Sequence, residues 1–351
     1  MHPWQHIHPD FQLSGKAMSL DELRQEARIL ASSKEVEDQH RGQFLLQWLD
    51  DQLTVSVPTS GSTGIPKSIE LDKLQMMASA RATISYFDLP PKTTALLCLS
   101  TAFIAGKMMW VRALLGGWNL DVGEISSDPL SRKQNKYQFA AMVPYQVTQS
   151  LTRLQQVDKL IIGGAAVTAD LEQQLQSSPC ECYATYGMTE TITHVAVKKL
   201  NRTGNTNSVY EALPGVRFSQ DNRGCLVIDA PAVSTQQVVT NDVVHLFSES
   251  QFEWLGRADF VINSGGVKIH PEQLEKKLST TLSVPFFITG VTDSTWGEKV
   301  VLVVESSREL PLDFSHLKQY EIPKEIRYVP AFVYTGSGKI NRKATLSKIG
   351  D

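Results

Sequence analysis

Residues 57–68 read VPTSGSTGIPKS. Thr59, Ser60, Gly61, Ser62, Thr63 and Gly64 crowd ahead of Lys67. Hydroxyls and glycine amides donate to phosphate oxygens, and the lysine adds a point charge. The common P-loop needs a glycine directly before its lysine, and here Pro66 holds that place. The stretch therefore reads as a phosphate loop of another kind. A second segment, TYGMTET (185–191), puts a ring, a glycine, hydroxyls and the Glu190 carboxylate within a few residues. That set suits a nucleotide base and Mg²⁺, which prefers carboxylate and phosphate oxygen. A polar helix start reads equally well on spacing alone. A third segment, GRADFVINSGGVKIHPEQLE (256–275), holds Arg257 and Asp259 about a turn, the close-approach pair Gly265-Gly266, and Pro271 opening a helix. In a fourth, TGSGKINRK (335–343), Lys339 stands in a glycine-rich loop.

The elements that must position these residues alternate. SLDELRQEARILASS (19–33) has helical apolar spacing after Ser19, a plausible N-cap, and residues 37–52 read as a second helix. LTVSVPTS (53–60) is a strand entering the phosphate loop, and residues 65–89 carry a strand-like piece and a helix. TTALLCLS (93–100) reads as a buried strand and GKMMWVRALLGG (106–117) as the helix after it. FAAMVPYQVTQSLT and VDKLIIGGAAV repeat that alternation, which predicts an α/β domain with a partly parallel sheet and ligand loops at the strands' carboxyl ends. Beyond about residue 205 short β runs predict a β-rich subdomain. The predicted organisation is a large domain, 1–258, with α/β sheets and the β-rich subdomain, and a small α+β domain, 259–351.

The chain of 351 residues is 42% hydrophobic with net charge −3. It lacks the basic excess of a nucleic-acid binder. No apolar run approaches the ~18 residues that read as a membrane span, and the amino terminus does not read as a signal peptide. Cys98, Cys180, Cys182 and Cys225 fit neither zinc nor redox spacing. These features predict a cytoplasmic protein with plain thiols. His2, His6 and His8 are expected to belong to a disordered or loosely docked terminus.

In order, TSGSTGIPK, GGAAV (163–167), YGMTE, TND (240–242), GRADFVINSGGVKIHPEQLE and GSGKINR resemble the serial motifs of the acyl-adenylate-forming, AMP-binding enzymes, from about residue 54 to 343. The resemblance implies ATP, Mg²⁺ and CoA as partners of a small carboxylic acid. The 59–67 loop would hold the β- and γ-phosphates. Gly163, Gly164 and Ala165 would flank the adenine, Tyr186 and Gly187 would meet its ring, and Thr189 would touch the α-phosphate. Glu190 would support Mg²⁺, and Asp242 and Arg257 would hold the ribose. Lys339 would bridge the carboxylate and α-phosphate. Asp259 would be a hinge, turning the Gly265-Gly266 segment to the site for thioester formation. Asn241 replaces the usual glycine of TND, and only about 55 residues precede the phosphate loop, so part of the usual N-terminal sheet is expected to be missing or rebuilt.

Within that family the short form, TAFIAGKMMWVRALLGG (101–117) and YGMTETITHVAVK look most like the o-succinylbenzoate–CoA ligases. Their substrate has two carboxylates, and the one not activated needs a cation. Lys107 is the first candidate and Arg112 the second, with Phe103, Met188, Thr193 and His194 lining the acyl pocket. A ligase for another aryl or fatty acid, a carrier-loading adenylation enzyme and, more remotely, a non-catalytic nucleotide-binding homologue stay open, as does oligomeric state.

Overall fold

Ser19 caps the first long helix, accepting from the Glu22 amide while the Glu22 carboxylate accepts from the Ser19 amide. This reciprocal capping box satisfies two amides left over at a helix start. The fold is described from a computed structural model, over residues 1–59, 67–133, 135–202, 209–334 and 340–349. Strands β1 (Gln12–Leu13) and β2 (Lys16–Ala17) precede that helix, α1 (Leu20–Ala31), and α2 (Val36–Leu49) follows it. A separate hairpin, β3 (Thr54–Thr59) and β4 (Lys67–Asp72), brackets the hydroxyl-rich loop and leads into α3 (Lys73–Tyr86).

Next come β5 (Thr94–Leu97), α4 (Ile104–Gly116), β6 (Asn119–Val122), β7 (Tyr137–Met142), α5 (Pro144–Ser150), β8 (Val157–Ile162), α6 (Ala169–Leu175) and β9 (Glu181–Gly187). The parallel rhythm legible in the sequence is present: β6, β5, β7, β8 and β9 lie side by side and parallel. Their residues alternate between two buried clusters. Phe139, Ile161 and Tyr183 face one, while Ala140, Leu160 and Cys182 face the other. A sheet covered on both faces explains why these strands read as unbroken apolar runs.

The β-rich part does not form a sheet of its own. Strands β10 (His194–Lys199), β11 (Tyr210–Ala212), β12 (Arg217–Gln220), β13 (Cys225–Asp229), β14 (Val238–Ser248) and β15 (Gln251–Arg257) join antiparallel beyond β9. Among the described residues one thirteen-stranded sheet results, in the order β12-β13-β14-β15-β11-β10-β9-β8-β7-β5-β6-β1-β2. A second sheet comprises β16 (Ile262–Ser264), β17 (Val267–Ile269), β18 (Phe286–Asp293), β19 (Gly297–Glu305) and β20 (Glu325–Val329), accompanied by α7 (Pro271–Leu278) and α8 (Arg342–Ile349). Alternate residues of β19 supply its two small cores. The change of sheet falls in the short 3₁₀ turn Ala258–Phe260, which contains Asp259.

The amino terminus departs from expectation, because it is anchored. Trp4 is buried and its indole donates to the Asp50 carbonyl at 3.0 Å, while Gln5 donates to the Leu49 carbonyl at 3.0 Å. The buried Lys73 ammonium closes this corner, 2.8 Å from the Asp50 carboxylate and 5.1 Å over the Trp4 ring. All four cysteines are buried, and burial pushes the Cys98 thiol up to about 12. Replacing Trp4 by Ala is expected to cost about 3–5 kcal/mol. An unchanged urea midpoint would show that the segment is not docked.

Candidate active site

Strands β5, β7, β8 and β9 run parallel, so the segments that follow them emerge along one edge of the sheet. Such an edge is where open α/β sheets take ligands. Gly163 leaves β8 with its amide still donating to the Met142 carbonyl at 3.1 Å, and Gly164 and Ala165 continue the same exit. Tyr186 and Gly187 close β9 beside them.

On the antiparallel side, the Tyr186 hydroxyl donates to Asp242 Oδ2 at 2.7 Å. Asp242 is buried, its amide donates to Thr240 Oγ1, and it lies opposite Arg257 in the β14–β15 register. The Arg257 guanidinium donates to Asp259 at 2.7 Å. Edge contacts with Phe252 and Tyr210 hold the Tyr186 ring. Burial, then the Asp242 charge, push the Tyr186 phenol well above its ordinary value, so it stays a donor at any ordinary pH. Four residues, Tyr186, Asp242, Arg257 and Asp259, thus meet in one place though the first and last stand 73 positions apart.

Between β9 and β10 the chain reverses through Met188 and the 3₁₀ turn Thr189–Thr191. Thr191 is fully buried. Its Oγ1 accepts from the Met188 amide at 3.1 Å and shares its proton between the Thr193 carbonyl at 2.8 Å and the Met188 carbonyl at 3.0 Å. Ile192 has φ 65° and ψ −66°, and the Thr193 amide donates back to the Thr191 carbonyl at 2.7 Å. This left-handed γ-turn is unfavourable for a β-branched residue, by about 1–3 kcal/mol. The Thr191 bonds and the burial of the Ile192 side chain hold it. Gly187 is required by the same crossing, since a Cβ there would stand 2.2 Å from the Thr193 carbonyl oxygen. Glu190 is exposed at the outside of the turn, with no partner among the described residues.

The far end of the turn enters a buried polar cluster. Thr193 Oγ1 lies 2.9 Å from Ser79 Oγ and 3.5 Å from Arg112 Nη2. His194 Nε2 lies 3.3 Å from Thr83 Oγ1. Arg112 is 2% exposed, its Nε has no hydrogen-bond partner, and no carboxylate pairs with it among the described residues. Burial pushes its guanidinium down to about 10, which leaves it charged at neutral pH. An uncompensated buried charge is strongly unfavourable, so buried cations are normally paired.

Lys107, the first sequence candidate for an acid partner, points elsewhere. Five positions along a helix turn a side chain by about 140° from Arg112. The Lys107 ammonium donates to the Thr101 carbonyl at 2.7 Å and lies 5.2 Å over the Phe44 ring. Burial pulls it down to about 8, against the charge of Glu37. It closes the loop that opens α4. Phe103, at the N-cap of α4, is 59% exposed and does not line the buried cluster; Met188 is half-buried at the turn. Sequence reasoning missed Ser79, Thr83 and Thr191. Ser79 and Thr83 are four apart on α3, a spacing that places both on one helix face.

Thr59 and Lys67 pair through their backbones in the β3–β4 hairpin. Their side chains, Ser60, Gly61, Ser62, Thr63 and Gly64, and Lys339 lie outside the described residues. Gly265 and Gly266 form the β16–β17 turn with φ of 57° and 83°, and the Trp296 ring packs on Gly265. Next to this hairpin α7 is clasped to β15: Gln273 Nε2 donates to the Trp254 carbonyl at 2.8 Å, and the Arg257 amide to Glu272 at 3.4 Å.

The sequence profile of the AMP-binding enzyme family matches residues 15–222. The chain is 34% identical to an acyl-CoA synthetase (AMP-forming)/AMP-acid ligase II-like protein from Dyadobacter fermentans. That solved structure superposes with a TM-score of 0.63 over 93% of this chain and 98% of the other. The 2-succinylbenzoate–CoA ligase of Escherichia coli is 26% identical over 324 residues, 86% of this chain and 70% of the relative. The o-succinylbenzoate CoA synthetase of Bacillus subtilis, solved with ATP and magnesium ion, is 14% identical. It shares the fold with a TM-score of 0.76 over 95% of this chain and 96% of its own. The chain belongs to the AMP-binding enzyme family.

Thr191→Val keeps the shape of the side chain but removes three hydrogen bonds at the reversal. We expect a loss of about 1–3 kcal/mol in urea unfolding, chiefly from the Met188 amide and the Thr193 carbonyl losing the hydroxyl, since the Met188 carbonyl keeps the Thr191 amide. Thr191→Ser should restore most of it, and equal destabilisation by both would refute the hydroxyl's role.

Proposed function

We propose that the chain is an AMP-forming acid–CoA ligase acting on o-succinylbenzoate, the reaction of menaquinone biosynthesis. Its relatives' names suggest the reaction. The observation that carries the choice of acid is the buried Arg112, without a carboxylate partner, beside Thr193 and His194. A diacid needs such a cation for the carboxylate that does not react, and charge-assisted pairing with a guanidinium is strong and oriented.

In this reading residues 1–258 bind ATP and acid, and residues 259–351 rotate about Asp259. The 59–67 loop with Lys67 holds the β- and γ-phosphates. Gly163, Gly164, Ala165 and Gly187 flank the adenine that Tyr186 meets. Asp242 and Arg257 hold the ribose, Asp242 exchanging part of its bond to Tyr186 for the sugar hydroxyls. Thr189 meets the α-phosphate. Glu190, an exposed carboxylate with no protein partner among the described residues, has the hard oxygen chemistry that Mg²⁺ requires. Bound there, the ion neutralises phosphate charge.

The succinyl carboxylate attacks the α-phosphorus, the bond to the β-phosphate oxygen breaks, and pyrophosphate leaves. Both reactants are anions, so Lys339 is the counter-charge as the acyl adenylate forms. After rotation the Gly265-Gly266 turn borders the CoA thiol, whose sulfur attacks the acyl carbon and displaces AMP.

The test is pyrophosphate release over a panel of acids, with and without CoA. o-Succinylbenzoate should be the preferred acid, and no release with any acid would overturn the reading. Arg112→Met should lower kcat/KM for o-succinylbenzoate by about 10²-fold or more, as loss of a buried charge pair does, with KM for ATP unchanged. Lys107→Met should leave the acid's KM unaltered; a matching loss would restore Lys107 as the partner. Lys339→Ala should abolish adenylation yet still turn synthetic acyl-AMP and CoA into thioester.

A further inference from the structure

His194 is buried beside Arg112 in the same polar cluster, and its protonation is fixed by its neighbours. The Thr83 hydroxyl donates its one proton to the Ser79 carbonyl at 3.1 Å. At 3.3 Å from His194 Nε2 the same oxygen is therefore the acceptor, and Nε2 carries the proton. Nδ1 is left as an open acceptor, with no partner among the described residues. A cavity of about 30 Å³ lies against His194 and Ser79, room for roughly one water, so the ring is buried without being sealed.

The surroundings contain little else that titrates. Arg112 is the charged group acting on His194; α3 offers Ser79 and Thr83, β9 offers the Gly187 backbone, and the remaining wall is apolar, with Leu213, Val216, Ala230 and Val233. Burial first, then the Arg112 charge, hold the imidazole well below its ordinary value. Before acid binds, it is neutral near pH 7. A carboxylate seated against Arg112 cancels the repulsion and attracts a proton to Nδ1.

We propose that His194 makes recognition of the acid's second carboxylate proton-linked: the imidazole takes up one proton from solvent at Nδ1 when that carboxylate pairs with Arg112. This rests on the diacid reading above. The sign follows from a pKa that rises on binding. The added affinity is fully present below the imidazole's pKa in the acid-free protein. It is lost as the pH rises through the higher pKa of the complex. Within that window KM for the diacid climbs by up to about tenfold per pH unit.

Calorimetry of o-succinylbenzoate binding to the full chain, with Mg²⁺ and α,β-methylene ATP, tests it in buffers of different ionisation enthalpy. Between about pH 5.5 and 7.5, around the ordinary imidazole range, up to one proton should be taken up per acid. An analogue lacking the ring carboxylate should take up none. In turnover, His194→Gln should flatten the rise of KM with pH. No proton uptake by the wild-type chain, or an unchanged pH dependence in His194→Gln, would overturn the proposal. Turnover of o-succinylbenzoate with a pH-independent KM would remove the proton linkage alone, whereas absence of pyrophosphate release at every pH would remove the diacid reading with it.

Discussion

Strand β9 pairs in parallel with β8 and antiparallel with β10, and the chain makes that reversal in the six residues from Met188 to Thr193. Both halves of the candidate site hang from this crossing. Its first residues face the end of the parallel sheet, where the segments after β5, β7 and β8 emerge, and its last enter the cluster around Arg112. The crossing is tight enough to need a missing side chain at Gly187 and a left-handed backbone at Ile192. A hydroxyl with three bonds, at Thr191, keeps it in one shape. The turn thereby fixes the spacing between the two halves of the candidate site.

The Arg112 cluster shows the opposite balance. Here the protein leaves a guanidinium in its interior with one long bond to a hydroxyl and one contact to a sulfur. Packing on every side of α4 keeps it from reaching solvent. A buried guanidinium without a carboxylate is unfavourable to the fold, and the second carboxylate of the diacid proposed above would offset that cost on binding.

The order of elements was legible because local signals agree with it: apolar runs bounded by turns for the strands, Ser19 and Pro271 at helix starts, glycines after β8 and at the end of β9. The partners of Tyr186 emerge only from the family's motif order, since Asp242 lies 56 positions away and meets it through strand pairing. Which cation of α4 faces the cluster was not legible. Amphipathic helices reveal their inner face by a polar outer one, but nearly all of α4 is buried, so the pattern gave no ground to put Arg112 ahead of Lys107, the first candidate. Likewise nothing local in MHPWQ signals that Trp4 and Gln5 bond to carbonyls more than forty residues on. The fusion of the β-rich segment into the main sheet depends on β15 pairing with β11, a non-local choice that composition does not encode.

The buried cysteines have a practical consequence. With every native thiol shielded, the surface is chemically silent towards maleimides. A single cysteine placed on an exposed position of α7, and another on the large sheet, would carry a fluorophore pair without removing any native residue. The rotation proposed about Asp259 could then be tested as a change of distance in solution.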